Sequence, residues 1–206
     1  EIDSLAAGIK SLDSEHLMTA HSRRHRSAKD DYDRDWLDIN STYGDKSTVY
    51  ERVRSDYERV PPVPTFLIEA RYGNEGGISE RELRTQMYHA LLGGAFGQLY
   101  GNAPQWYFSA KAADYAADRK GLDWKRYLDG FGASSISVAA NLADQFPLHR
   151  LEPDFSHRVV TAGSGEMGTG YAPMAYAPDL AIGYLPEARE MVIDTSVFDG
   201  VMSARW

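Results

Sequence analysis

The order of apolar segments along this 206-residue chain constrains its fold more than any other feature. Short apolar runs that suit buried strands alternate with longer segments in which apolar residues recur at helical spacing. The predicted strands cover residues 16–21, 36–40, 65–68 and 95–100, and the predicted helices cover residues 3–12, 46–60, 79–92 and 124–146. Consecutive strand–helix units of this kind predict a parallel sheet, which is either doubly wound or closed into a barrel.

The pattern changes beyond Pro147, where no helical spacing continues. Short strand candidates separated by Gly, Pro and Asp follow at residues 156–161, 180–185, 191–193 and 201–206. We therefore expect residues 1–147 to form the α/β unit and residues 148–206 to begin a small antiparallel β-sandwich domain. The glycine motif at residues 163–168 is not expected to bind a dinucleotide, because that motif must open a helix and prolines follow it here.

Composition excludes several classes of function. The net charge of −8 argues against a nucleic-acid surface, which needs clustered Lys and Arg. No apolar run approaches the roughly 20 residues that span a bilayer. The chain has no cysteine, and no spacing of His, Asp and Glu is typical of a zinc or calcium site, so we predict no metal or cofactor. Because the chain starts with Glu1 and not with methionine, and because it stops within a strand-like segment at Trp206, we interpret both ends as internal points of a longer polypeptide.

Polar and aromatic side chains follow every predicted strand of the α/β unit. They are His21, Asn40, Tyr43, Glu69, Arg71, Tyr72, Tyr100, Asn102 and Trp106. Binding and catalytic sites of parallel α/β folds form at the carboxyl ends of the strands. We therefore predict that these side chains converge on one site.

Glu69 is the candidate catalytic residue, because it directly follows the apolar run at residues 66–68. A carboxylate in this position can act as a nucleophile or as an acid or base. Arg71 would point the same way and could keep Glu69 ionised, whereas the alternative is a purely structural ion pair between the two. Glycosidases need two carboxylates, and Glu1 is a weak second candidate because acidic residues are common at helix starts. We expect the second carboxylate to lie upstream of this chain.

His21 opens a long charged loop that runs to Asp35. Its imidazole could bind a sugar hydroxyl, or it could be a buried histidine bonded to the backbone. The loop itself is typical of a solvated surface segment, and a lid over the site is the alternative.

Residues 64–106, PTFLIEARYGNEGGISERELRTQMYHALLGGAFGQLYGNAPQW, resemble the apiosidase-like glycoside hydrolases. In that family a strand that ends in glutamate precedes a helix of the form "R…AYWALLAGAAG" and then a "YGNN…W" strand end. The segments at residues 8–21 and 36–40 are similar to the family's "GI…D…HL.T.H" and "WLDFN". The chain departs from the family pattern at Ile68, Ala70 and Gly73, where the family has an aspartate, a proline and an acidic residue.

The resemblance implies the C-terminal half of a (β/α)8 TIM barrel followed by a β domain, which the family description links to collagen binding. It also implies that Glu69 is the nucleophile and that an aspartate ending the fourth barrel strand lies just before Glu1. Side chains at the strand ends, among them His21 and Trp106, would then position the sugar.

The leading hypothesis is an extracellular or cell-envelope hydrolase that degrades polysaccharide side chains or surface glycans. The rest of the barrel would come from the same or another chain. The alternative is a non-catalytic carbohydrate-binding or structural component of a larger surface or particle assembly. A doubly wound nucleotide enzyme is disfavoured because the sequence has no phosphate loop.

Overall fold

A parallel sheet lies at the centre of the α/β part of the protein. The structure is a computed structural model, which describes residues 1–106 and 124–206. Strand β1 (Asn40–Tyr43) pairs in parallel with β2 (Thr65–Glu69). The register shifts after Thr42, so that Tyr43 lies opposite Glu69. This shift brings both side chains to the carboxyl end of the sheet.

Two further extended segments flank these strands, one on each side. On one side, the backbone N–H groups of Asp38 and Ile39 donate to the Met18 carbonyl. On the other, Leu67 N donates to Gly97 O and Leu99 N donates to Leu67 O. Four extended segments therefore lie side by side in the predicted order, although only the two central ones are regular strands. No regular strand forms at residues 16–21 or 95–100, so these two predictions are wrong in this respect. Residues 16–21 are mostly exposed, and both edge segments are only partly paired.

The helices follow the predicted order closely. In chain order they are α1 (Ile2–Leu12), α2 (Ala28–Asp31), α3 (Val49–Tyr57), α4 (Glu80–Leu92), α5 (Ala103–Trp106) and α6 (Phe131–Gln145). Single 3-10 turns cover Lys46–Thr48, Trp124–Tyr127, Leu148–Arg150 and Thr195–Val197. The capping box predicted for α4 is present, since Ser79 accepts from Glu82 N and Glu82 bonds back to Ser79 N. Asp3 does not cap α1 as predicted, because it lies in the first turn and accepts a bond from the Trp36 indole.

The core below the sheet is small and aliphatic. Val49 and Val53 of α3 pack with Leu67 of β2, with Ala90 of α4 and with Ala95. Each of these residues is buried, so the apolar faces of α3 and α4 hold β2 in place. None of the helices within residues 1–106 and 124–206 combines the length and apolar character needed to cross a membrane.

Small antiparallel sheets follow the helical part. The strands are β3 (Glu152–Pro153), β4 (Val160–Ala162), β5 (Met174–Ala177), β6 (Leu180–Gly183) and β7 (Val192–Ile193). They form one sheet in the order β3-β5-β6 and a second from β4 and β7. The predicted strand at residues 201–206 does not form, and β3 and β5 were not predicted. Strand β5 was not recognised because it contains two alanines and is flanked by prolines, and both residue types are uncommon in strands. The glycine motif at residues 163–168 is a loop.

Aromatic contacts join these sheets to α3 and α4. The rings of Tyr50 and Tyr171 lie 4.7 Å apart, and Tyr88 stacks on Tyr184 at 4.5 Å. His89 of α4 is fully buried, and its Nε2 lies 2.9 Å from the Tyr171 carbonyl oxygen. The β region therefore packs on the outer side of the two helices that hold β2.

Candidate active site

A cleft of about 390 Å³ opens at the carboxyl end of the parallel sheet. It is lined by Arg24, Tyr43, Gly44, Glu69, Ala70, Arg71, Tyr72, Glu75 and Trp106. These residues come from the ends of β1 and β2 and from the loops that follow the extended segments. Glu69 is the last residue of β2, so a rigid strand places its carboxylate in the wall of the cleft.

Three side chains surround the Glu69 carboxylate. His21 Nε2 lies 2.8 Å from Glu69 Oε2. The hydroxyls of Tyr43 and Tyr72 both lie near Glu69. The His21 ring meets Tyr43 edge-on, with ring centres 5.4 Å apart. Glu69 is therefore fixed by three partners while its side chain stays 19% exposed, which leaves it reachable from the cleft.

Burial and the neighbouring Glu69 raise the pKa values of both phenols. Burial, a hydrogen bond to Glu69 and the Glu69 charge raise the pKa of Tyr43 well above its usual range. Burial and the charge of Glu69, together with a hydrogen bond, raise the pKa of Tyr72 to about 12. Both hydroxyls therefore stay protonated at neutral pH and can donate to the carboxylate.

Arg71 does not pair with Glu69, which corrects both sequence-based interpretations of this residue. Its guanidinium forms two bonds with Asp45, from Nε to Oδ1 at 3.1 Å and from Nη2 to Oδ2 at 2.9 Å. Arg24 bonds to the same carboxylate. Although burial acts to raise the pKa of Asp45, the bonds from both arginines hold it below its usual value. Asp45 thus fixes two cationic side chains in the cleft wall.

Tyr72 and Trp106 form an aromatic side of the cleft. Their rings meet at 77° with centres 6.3 Å apart. Trp106 remains 55% exposed and lines the cleft. Aromatic faces of this kind suit the apolar faces of sugars.

The structure does not place Asn40, Asn102 or Tyr100 in this cleft. Asn40 begins β1 at the opposite end of the sheet, where it is fully buried and bonds to Thr65 and to Lys29 N. The buried Asn102 amide bonds to Asn74 and to the Tyr127 carbonyl.

The Tyr100 hydroxyl lies so close to Gly73 and Gly132 that a Cβ at either glycine would overlap it. Tyr100, Asn40 and Asn102 therefore support the loops and strands around the cleft.

Two cleft residues, Arg24 and Glu75, and the carboxylate that bonds to the cleft arginines, Asp45, were missed from the sequence. Asp45 and Glu75 each lie just beyond a strand end, so the strand-end signal extended by a few residues could have found them. Glu75 accepts a bond from Tyr72 N at 3.0 Å and so holds the loop after β2. Arg24 belongs to the charged loop after His21, which reaches the cleft at this residue. Nothing in the sequence indicates that Arg24, and not one of the neighbouring arginines, lines the cleft.

Within the described part of the chain, no three His, Asp or Glu side chains come close enough together to hold a metal ion. The polar groups at the described cleft are carboxylates, phenols, guanidiniums and the His21 imidazole that contacts Glu69. A carboxylate fixed in a cleft wall can act as a nucleophile or as an acid or base.

Comparison with known proteins identifies the family. A family model described as "Apiosidase-like, catalytic domain" matches residues 1–150. The chain belongs to the apiosidase-like family. This match confirms the resemblance seen in the sequence, and no protein of curated function matches the chain.

Solved structures agree with this assignment of the apiosidase-like chain. A glycoside hydrolase family 5 protein from Bacteroides vulgatus ATCC 8482 is 25% identical with a TM-score of 0.86, and the match covers 96% of this chain and 48% of that one. A second structure, described as a glycoside hydrolase, is 22% identical with a TM-score of 0.81 over 96% of this chain and 50% of its own. The chain thus spans about half the length of these proteins and shares their TIM-barrel type of α/β fold.

Proposed function

We propose that the protein hydrolyses glycosidic bonds, with Glu69 as the nucleophile. The observation that carries the proposal is the position of Glu69, at a strand end in the cleft wall and in contact with His21, Tyr43 and Tyr72. The apiosidase-like family and the glycoside hydrolase neighbours support it. The substrate would be a polysaccharide side chain or a surface glycan, and the protein would act outside the cell or in the cell envelope.

In this proposal Glu69 attacks the anomeric carbon through an oxocarbenium-like transition state. The departing oxygen takes a proton from an aspartate upstream of Glu1, and a water molecule then hydrolyses the ester formed on Glu69. The Tyr43 and Tyr72 hydroxyls, which lie near Glu69, would orient its carboxylate for attack. The aspartate would lie roughly 5–5.5 Å from Glu69, as retention of configuration requires.

The remaining half of the barrel would supply that aspartate, from the same or another chain. The edges of the parallel sheet support this proposal, because Leu17, Phe96 and Leu99 are exposed large apolar residues. Such edges are normally paired or covered in a closed barrel.

The sugar would bind between the aromatic side and the charged side of the cleft. Trp106 would stack on an apolar sugar face, and Tyr72 lies beside it. Arg71 is held by Asp45, so its position is suited to hydrogen bonds with sugar hydroxyls. His21 is half-exposed at the cleft and is the remaining candidate for a sugar contact.

The test is Glu69→Gln, measured by the release of reducing sugar from a panel of plant and bacterial polysaccharides. Because the amide cannot form the covalent intermediate, we expect turnover to fall by at least roughly a thousandfold. Glu51→Gln, which alters an exposed glutamate on α3, is the matched control and should keep full activity. Unchanged turnover in Glu69→Gln would remove Glu69 from the reaction. A wild-type protein that binds these glycans without hydrolysing any would support the non-catalytic alternative.

A further inference from the structure

The charged loop at residues 22–35 is bonded to the strand and the helix beneath it. The backbone N–H of Tyr43, which ends β1, donates to the Arg26 carbonyl at 2.9 Å. Arg59, which follows α3, bonds to the Asp30 carboxylate. Because these bonds lead to two different elements, the loop cannot leave the sheet without breaking several of them together.

Asp31 holds the turn at residues 23–26, which is the part of this loop that reaches the cleft. The turn is closed by a bond from the backbone N–H of Arg26 to the Arg23 carbonyl. The Asp31 side chain, only 6% exposed, accepts bonds from Arg23 Nη2 at 2.9 Å and from Arg26 Nε at 2.6 Å. Between these two bonded arginines lies Arg24, whose side chain lines the cleft.

Arg24 and Arg71 meet at one carboxylate, although they belong to different loops. Arg24 donates from Nη2 to Asp45, and Arg71 donates to the same carboxylate from Nε and Nη2. The Arg71 carbonyl accepts a further bond of 2.6 Å from Gln86 Nε2 of α4. A single carboxylate balances only one of two guanidinium charges, so this cluster of three side chains remains cationic.

The bonds to Asp45 use only part of the hydrogen-bonding capacity of the two arginines. A guanidinium carries five N–H groups in one plane, and Asp45 takes one from Arg24 and two from Arg71. The Arg24 side chain is 50% exposed, compared with 24% for Arg71. Arg24 is therefore the more accessible donor on the charged side of the cleft.

We propose that the turn at residues 23–26 is a fixed wall of the cleft, and that Arg24 is the residue through which this wall selects the substrate. The role of Arg24 rests on the proposed function, to which it adds a specificity-determining residue. Because Asp31 holds the turn and Asp45 holds the guanidinium, little conformational freedom is lost when a sugar binds. A guanidinium only donates hydrogen bonds, so Arg24 would select sugars that present hydroxyl oxygens to this wall.

The first test measures the turn itself and needs no substrate. Amide hydrogen exchange of the whole protein is followed by mass spectrometry of peptides that cover residues 22–27. In the wild-type protein these amides should exchange at least roughly tenfold more slowly than in an unstructured peptide. A mobile lid would exchange at the unstructured rate, and that result would overturn the fixed wall.

Two substitutions in the same loop show which contact holds the turn. Asp31→Ala removes the carboxylate that accepts from both flanking arginines and should accelerate exchange of residues 22–27 at least roughly tenfold. Asp33→Asn removes an exposed ion pair with Lys29 and is the matched control, with exchange that should match the wild type. Peptides of α3 report whether each variant remains folded. Equal exchange of residues 22–27 in folded Asp31→Ala and wild type would refute the role of Asp31.

The second test measures steady-state kinetics on a polysaccharide that the wild-type protein hydrolyses. Arg24→Gln should raise KM about tenfold and change kcat less than about threefold, because the lost hydrogen bonds hold substrate and transition state alike. Hydrogen exchange of residues 22–27 should not change in this variant, since Asp31 still holds the turn. Arg34→Gln, which alters an exposed arginine of the same loop, is the control and should keep both constants.

The outcomes of the kinetic test separate the two proposals. An unaltered KM in Arg24→Gln would overturn the role of Arg24 while leaving hydrolysis by the protein in place. Full activity of Glu69→Gln would instead refute the proposed function, and the exchange experiment would then decide whether the wall is fixed.

Discussion

The buried histidine between α4 and the β region should make the protein sensitive to acid. His89 is fully buried, its Nε2 faces the Tyr171 carbonyl, and its Nδ1 has no partner in the described structure. Burial lowers the pKa of His89 from 6.5 to about 4, against the opposing effect of the bond to Tyr171. Protonation would place a charge and an unpaired N–H in the interface.

The sign and size of the effect follow from these two pKa values. Between pH 6.5 and pH 4 the unfolded chain binds a proton at His89 that the folded protein does not, so acid favours unfolding in this window. The contribution is fully present above pH 6.5 and is lost as the pH falls. At 1.36 kcal/mol for each pKa unit, the loss is about 2 kcal/mol by pH 5 and about 3 kcal/mol by pH 4.

The assay compares urea unfolding of wild type and His89→Gln at pH values from 7.5 to 4.5. Glutamine can still donate to the Tyr171 carbonyl but does not titrate, so the variant should lose about 2 kcal/mol less than wild type between pH 7.5 and pH 5. His149→Gln, on the exposed surface, should keep the wild-type dependence. Parallel stability curves for wild type and His89→Gln would refute the reasoning.

Three further features are each tested by substitution. Ser79→Ala removes the capping box of α4 and should lower the free energy of unfolding, measured by urea titration, by about 1 kcal/mol. An unchanged midpoint of the urea unfolding transition would show that the cap adds no stability. Gly94→Ala places a Cβ at φ +102° against the Tyr57 ring and should lower the free energy of unfolding by about 1–3 kcal/mol. Gly97→Ala, with open space around the new Cβ, is the control and should lower it by less than about 0.5 kcal/mol. Equal losses of stability in the two variants would contradict this prediction. Trp106→Ala should raise the KM of glycan hydrolysis roughly three- to tenfold, whereas Trp106→Phe should keep KM close to the wild-type value. An unaltered KM in Trp106→Ala would exclude stacking of the sugar on Trp106.

Local signals in the sequence were sufficient to predict the elements that hold Glu69. The apolar run before Glu69 marks β2, because a strand covered on both faces excludes polar residues. Ser79 and Glu82 mark the start of α4, since their side chains satisfy backbone groups within a single turn. The outer segments were harder to assign, because an edge segment such as residues 16–21 is only partly paired and its exposed residues need no regular pattern.

An error in a strand boundary changed the apparent role of Asn40. Predicting the strand at residues 36–40 puts Asn40 at its carboxyl end, beside the site. The observed strand begins at Asn40, so this residue lies at the opposite end and is buried. Tyr43 is the last residue of the observed strand and lies opposite Glu69.

Contacts between distant segments could not be predicted in the same way. Arg71 lies two residues after Glu69 but pairs with Asp45, because the loops after β1 and β2 meet above the sheet. His21 also contacts Glu69, although the extended segment that ends at His21 and strand β2 do not lie next to each other in the sheet. Such pairings depend on strand order and register, which a single sequence does not specify.

The proposed hydrolysis depends on a covalent bond between the sugar and Glu69. The most direct measurement quenches the hydrolysing protein in acid during turnover and follows its mass, with peptide mapping of any adduct. The account predicts a mass increase of one glycosyl unit on the peptide that contains Glu69, and no adduct in Glu69→Gln. A glycosyl adduct on another carboxylate, or steady turnover by Glu69→Gln, would contradict it.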